Sequence, residues 1–95
     1  MRHAGHVDLE VVGELGGANA REFSEAVRTL VRAGERSLVV DLGQATVVDQ
    51  SGVSALEDAR TLLSSDNGEL VLKSARSETL RLLELAGLGD SFTVC

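Results

Sequence analysis

Val7, Leu9 and Val11 alternate with Asp8 and Glu10. That period of two predicts a strand over about 7–13 with one face toward a core and one toward water. Gly16-Gly17 breaks the alternation, and the period then turns helical. Phe23, Ala26, Val27, Leu30 and Val31 fall at i, i+3, i+4, i+7 and i+8, with Arg21, Glu25, Arg28 and Arg32 on the other side. This pattern predicts a helix over about 20–33. Asn19, three residues before Glu22, reads as a capping box, and Gly34 as the residue just past the helix end.

Leu38-Val39-Val40-Asp41-Leu42 is a nearly continuous apolar run with β-branched members. It predicts a strand buried on both faces and therefore parallel to its neighbours. Asp41, at its carboxyl end, is expected to accept N–H groups from the following loop. Val47-Val48 is a second short extended piece and leads directly into Asp49-Gln50-Ser51-Gly52. Val53, Leu56, Ala59 or Arg60, and Leu63 then share a helical face, which predicts a helix over about 51–63. Ser64 to Gly68 is a polar turn, Leu70-Val71-Leu72 a third core strand, and Ser77 the expected cap of a helix through Leu80, Leu83 and Ala86. Phe92-Thr93-Val94 closes the chain as a last short strand.

Strands that alternate with helices specify an α/β domain, because each parallel pair needs a crossover connection. The expected architecture is a small, mostly parallel β-sheet of about four strands with three helices packed against it. The whole of 1–95 is read as one domain with a flexible N-terminal stretch over 1–6. Folds of this kind bind their partners at the carboxyl ends of the strands, so the loop after Val48 is the first place to look for function.

Composition narrows the choice of function. A chain of 95 residues buries only roughly 60–68% of the surface its unfolded form exposes. With two Phe, no Trp, no Tyr and no Pro, its core must be built from Val, Leu and Ala, which leaves little room for a deep substrate pocket. The net charge is −6, and the Arg residues are scattered from Arg2 to Arg81. Neither an electrostatic footprint for nucleic acid nor a set of base-stacking aromatics is present in the sequence. No apolar run approaches the ~20 residues that span a bilayer, and the first residues do not have the pattern of a signal peptide. Cys95 is the single cysteine, so neither an internal disulfide nor a thiolate metal cluster is expected, which suits a cytoplasmic protein.

Catalytic constellations are not found either. His3 and His6 lack a third ligand and read as residues of a flexible terminus, so no metal site and no cofactor is expected. Cys95 has no activating neighbour and reads as an exposed thiol. Gly13, Gly16 and Gly17 do not fit the spacing of a dinucleotide-binding loop, and no phosphate-binding P-loop occurs. Glu57-Asp58 and Glu84 read as solvated helix surface. A receiver-type domain would need an acidic pair after the first strand, where only Glu14 stands, and Lys73 is the only lysine. The expected protein is not an enzyme.

Asp49-Gln50-Ser51-Gly52 is the segment left with chemical content. A helix N-terminus carries unpaired N–H groups and partial positive charge, so a phosphate on a Ser in its first turn would be held there. Gly52 would leave the backbone bare for the approach of another chain. The alternative is plain N-capping by Asp49, Ser51 or both.

The surrounding sequence resembles the STAS domain of anti-sigma factor antagonists. Leu38 to Leu42 followed by Val47-Val48-Asp49-Gln50-Ser51-Gly52-Val53 is similar to that family's apolar strand and phosphorylation-site segment. Leu82-Leu83-Glu84-Leu85-Ala86-Gly87-Leu88 with Phe92-Thr93-Val94 is similar to its last helix and strand, and Gly13-Glu14-Leu15 to its early Gly-Glu-Leu. The resemblance spans about 7–94. It differs in having Gly16 where that family often has Asp, and Gln50 where it has Ser.

The resemblance implies that Ser51 is phosphorylated by a partner anti-sigma factor, itself a serine kinase, and that a phosphatase reverses the modification. It implies that Asp49, Gln50, Ser51, Gly52 and Val53 form the partner-binding segment. The unphosphorylated chain would bind the anti-sigma factor and release the sigma factor, and phosphorylation would end that binding. A STAS adaptor that works without phosphorylation, for example a subunit of a lipid-transport ATPase complex, is the alternative. Because the chain is short for this family, an exposed sheet edge covered by a partner or by a second copy in a homodimer is also expected.

Overall fold

Alternation of apolar side chains puts Val7, Leu38, Val40, Leu70 and Leu72 on one sheet face, where all five are buried. The computed structural model describes residues 2–3 and 5–94, with side chains from Gly5 onward. The main sheet contains β1 (Arg2–His3), β2 (His6–Glu10), β4 (Ser37–Asp41), β6 (Glu69–Lys73) and β7 (Thr93–Val94), in that spatial order. From β2 to β7 the pairing is parallel, with Val7 beside Leu38 and Leu38 beside Leu70; β1 alone is antiparallel, Arg2 opposing Val7 and His3 opposing His6. A second, two-stranded parallel sheet joins β3 (Gly13–Leu15) to β5 (Ala45–Val48). The helices are α1 (Gly17–Arg32), α2 (Gln50–Ser64) and α3 (Ser77–Leu85).

Three helices and a mostly parallel sheet of about four strands were expected; the helices and the four parallel strands β2, β4, β6 and β7 are what the chain forms, with an antiparallel edge strand β1 and the separate β3–β5 pair in addition. The strand expected over 7–13 is two strands. Gly13 takes φ +85°, in the left-handed region open to glycine, and there the chain leaves the main sheet to pair with β5. Residues 2–3, part of the stretch expected to be flexible, pair with β2, while Cys95 lies outside the described residues.

The Asn19–Glu22 capping box does not form. The helix starts earlier, with Gly16 as an N-cap that makes no side-chain hydrogen bond, and the Asn19 side-chain amide instead donates to the Glu14 carbonyl at 3.2 Å. Ala26 is exposed and Ala20 is buried, because the core-facing stripe runs through Ala20, Phe23, Val27 and Val31 and Ala26 falls off its edge. At the other end Gly34 has φ +98°, and the Gly34 and Glu35 N–H groups return to the carbonyls of Val31 and Leu30, a left-handed helix stop as expected. Ser77 is the first residue of α3 and not its cap; Arg76 takes the cap position without a side-chain bond.

β4 is parallel on both sides but not buried on both faces. Leu38 and Val40 are fully buried while Val39 remains half-buried. The helices cover one face only, with α1 and α2 against each other over it and α3 beside α2. Leu56 and Leu63 of α2 and Val27 of α1 are among the most deeply buried side chains. The other face carries His6, Asp8, Val39, Asp41, Val71 and Lys73, none of them buried, and no described element covers it. Asp41 behaves as expected, its carboxylate accepting the Gly43 N–H at 2.9 Å. Glu57 does not behave as solvated surface; it is half-buried and holds the Arg60 guanidinium through two bonds of 2.9 and 3.2 Å, with Arg60 over the Phe92 ring at 5.8 Å.

Candidate functional site

Parallel pairing of β3 with β5 sets Leu15 beside Val48, so the carboxyl ends of both strands finish together. One residue later each strand enters a helix, α1 behind the N-cap Gly16 and α2 behind the N-cap Asp49. Two helix N-termini therefore open side by side at one point of the surface. The Asp49 N–H bonds the Leu15 carbonyl at 3.3 Å and ties the two starts together.

Asp49 is extended, and its carboxylate Oδ1 accepts the Gly52 N–H at 3.0 Å. This satisfies one of the donors that a helix start leaves open. The capping reading of Asp49 thus holds, and it frees Ser51 from that duty. Ser51 occupies the second helical position and is exposed, as are Asp49 and Gln50. No acidic residue lies in the first turn of α2, so the partial positive charge of the helix end faces Ser51 and solvent.

Gly52 and Val53 lie beneath this surface. Val53 is 2% exposed and belongs to the core. Gly52 is buried, and a Cβ there would lie 2.1 Å from the Leu15 carbonyl oxygen and 3.1 Å from a Val48 methyl. The bare backbone at Gly52 therefore admits the approach of this chain's own β3–α1 link, and not of another protein as its place in the sequence suggested. Of the five residues expected to meet a partner, Asp49, Gln50 and Ser51 form the outer surface, and Gly52 and Val53 shape it from below.

Two neighbours of the site were not legible in the sequence. Gly16 is buried against Asp49: a Cβ at Gly16 would lie 2.3–2.4 Å from all three atoms of the carboxylate group. On the far side, Val47 is 53% exposed and borders a groove of about 190 Å³ lined by Thr46, Val48, Arg76, Glu78, Thr79 and Leu82. This is smaller than the ~300–1,000 Å³ of ordinary small-molecule sites. Among the described residues, no three His, Cys, Asp or Glu side chains converge on a point that could hold a metal ion.

A family model for the STAS domain matches residues 1–95. The chain belongs to the STAS domain family. Among curated relatives, the anti-sigma-B factor antagonists of Listeria monocytogenes and Listeria innocua are each 29% identical over 89 residues, covering 94% of this chain and 78% of theirs. The fold matches solved structures of the anti-sigma factor antagonist SpoIIAA. In the unphosphorylated form the TM-score is 0.82 at 14% identity, over 100% of this chain and 83% of that one. In the phosphorylated form, described as a Bacillus cell fate determinant, it is 0.80 at 18% identity, over 100% and 86%. No described helix of this STAS domain is long and apolar enough to cross a membrane.

Proposed function

We propose that this STAS domain is an anti-sigma factor antagonist. Unphosphorylated, it binds an anti-sigma serine kinase and so releases a sigma factor; phosphorylation of Ser51 ends that binding and a phosphatase restores it. The observation that carries the reading is the placement of Ser51, an exposed hydroxyl at the second position of α2, beside Asp49 and against an anchored backbone. The names of the Listeria relatives and the two forms of SpoIIAA support the same reading. In line with the names of the Listeria relatives, the protein is read as a binding partner and not as an enzyme.

The switch is electrostatic and local. A phosphoserine adds roughly −1.5 to −2 charge at pH 7 to a surface that already holds Asp49, on a chain of net charge −6. One added unit charge about 4 Å from a like charge on a partner costs around 4 kcal/mol at an effective dielectric constant of ~20. Half of that weakens binding more than tenfold. Desolvation of the phosphate under a docked partner adds to the penalty. The fold need not move, since the phosphate stays at a helix end that favours it.

The test is to incubate the chain with candidate anti-sigma kinases and ATP and to locate phosphate by mass spectrometry. Phosphate is expected on the wild type and absent from Ser51→Ala. Binding of Ser51→Glu to the anti-sigma factor is expected to be at least tenfold weaker than wild type. Phosphate retained on Ser51→Ala overturns the site. Partner binding that is indifferent to Ser51→Glu overturns the switch and leaves an adaptor that works without phosphorylation.

A further inference from the structure

The starts of α1 and α2 share an electrostatic problem. α1 has no side-chain cap and no acidic residue in its first turn, and α2 has Asp49 as its cap and no acidic residue in its first turn. Each helix end carries roughly half a positive charge, and the two open next to each other. One carboxylate stands between them. Asp49 Oδ1 accepts the Gly52 N–H of α2 at 3.0 Å, and the whole carboxylate group fills the space that a side chain on Gly16, the N-cap of α1, would need.

Gly16 is not there for its backbone freedom. Its φ of 175° is extended and open to any residue. What excludes a side chain is Asp49, whose Cγ, Oδ1 and Oδ2 all lie within 2.4 Å of the position of the missing Cβ. Asp49 is exposed and its carboxylate is the free end of its side chain, so it would move aside, and that movement draws Oδ1 away from the Gly52 N–H, which lies beneath the Leu15 carbonyl. Position 16, the cap of α2 and the first turn that bears Ser51 thus form one interlocked unit.

We propose that Gly16 is a positioning residue for the Ser51 acceptor: its bare Cα seats the Asp49 carboxylate, which from there serves as the common anion for the N-termini of both α1 and α2. The proposal rests on the reading of Ser51 as acceptor for its link to function, and on geometry alone for the link between Gly16 and Asp49. In consequence, a side chain added at position 16 would displace the Asp49 carboxylate from this seat and loosen the cap on the first turn of α2.

A double-mutant cycle in the full chain tests the link between Gly16 and Asp49 with no partner present. Gly16→Ala is expected to lower the melting temperature by about 4–8 °C or more. In an Asp49→Ala background the same change is expected to be neutral or stabilising, since the obstructing carboxylate is gone and alanine suits the backbone there. The Gly52 amide resonance in a proton–nitrogen correlation spectrum reports the cap directly. In Gly16→Ala it is expected to shift toward its position in Asp49→Ala.

Asp49→Asn keeps the size and capping ability of the residue but not its charge. It is expected to be less stable than wild type at low salt, with the difference shrinking toward 1 M salt, where the Debye length is about 3 Å. Equal losses from Gly16→Ala in both backgrounds, or an unmoved Gly52 resonance, overturn the seating role. An Asp49→Asn variant as stable as wild type at every salt concentration overturns the shared anion.

With the kinase, Gly16→Ala is expected to slow phosphorylation of Ser51 by about tenfold while the chain remains folded at the assay temperature. A wild-type rate in that variant overturns the positioning role. A wild type that is never phosphorylated overturns the acceptor reading instead, and leaves the cycle to decide the geometry.

Discussion

A serine becomes a candidate switch here through its surroundings more than its own chemistry. Ser51 is one of several exposed hydroxyls, and what separates it is the first turn of α2: a satisfied cap at Asp49, a backbone pinned at Gly52 and a helix end aimed outward. Removing the cap with Asp49→Ala is expected to cost about 1 kcal/mol of stability, as caps commonly do, read by urea unfolding. Gly52→Ala is expected to be the more damaging change, at about 1–3 kcal/mol or more, because its methyl would meet a backbone carbonyl at 2.1 Å. If Gly52→Ala unfolds at the wild-type urea midpoint, the backbone contact with Leu15 is not what holds the helix start.

Among the elements, the parallel pair β3–β5 does most to make the site. It separates from the main sheet at Gly13 and brings two strand ends, and therefore two helix starts, to one place. The main sheet supplies the support, and its two faces are unequal. Val40 is fully buried under the helices, whereas Val39, one residue earlier, is half-buried on the uncovered face. Val40→Thr is expected to cost about 1–3 kcal/mol for an unpaired buried hydroxyl, and Val39→Thr less than about 0.5 kcal/mol. Equal losses in thermal unfolding would mean that something covers the second face. Leu56, at the centre of α2 and fully buried, is expected to lose about 2–5 kcal/mol on change to Ala. Circular dichroism melts of these three variants rank the faces directly.

The whole molecule acts through its charge. An acidic chain repels acidic partners across its surface, and a phosphate added at Ser51 strengthens that field. That field is screened by salt. The difference in anti-sigma factor affinity between wild type and Ser51→Glu is expected to narrow between about 50 mM and 500 mM salt, as measured by titration calorimetry. A difference unchanged by salt would assign the loss to steric exclusion.

Much of this organisation was legible along the chain because local patterns report local physics. A period of two located the strand that became β2, apolar runs located β4 and β6, a period of 3.6 located the helices, and Asp41 and Gly34 do what their positions suggested. The segment from Asp49 to Gly52 was marked by its place after a core strand and by its resemblance to a known family. What the sequence could not determine depends on who stands across the fold from whom. Only the tertiary structure decided that Gly13 turns the chain into a separate pair of strands, that the helices leave one sheet face bare, and that Gly52 lies under the Leu15 carbonyl. The role of Gly16 is the clearest case: it is set by a carboxylate 33 residues further along the chain, and no periodicity or spacing records that two distant residues claim the same few cubic ångströms.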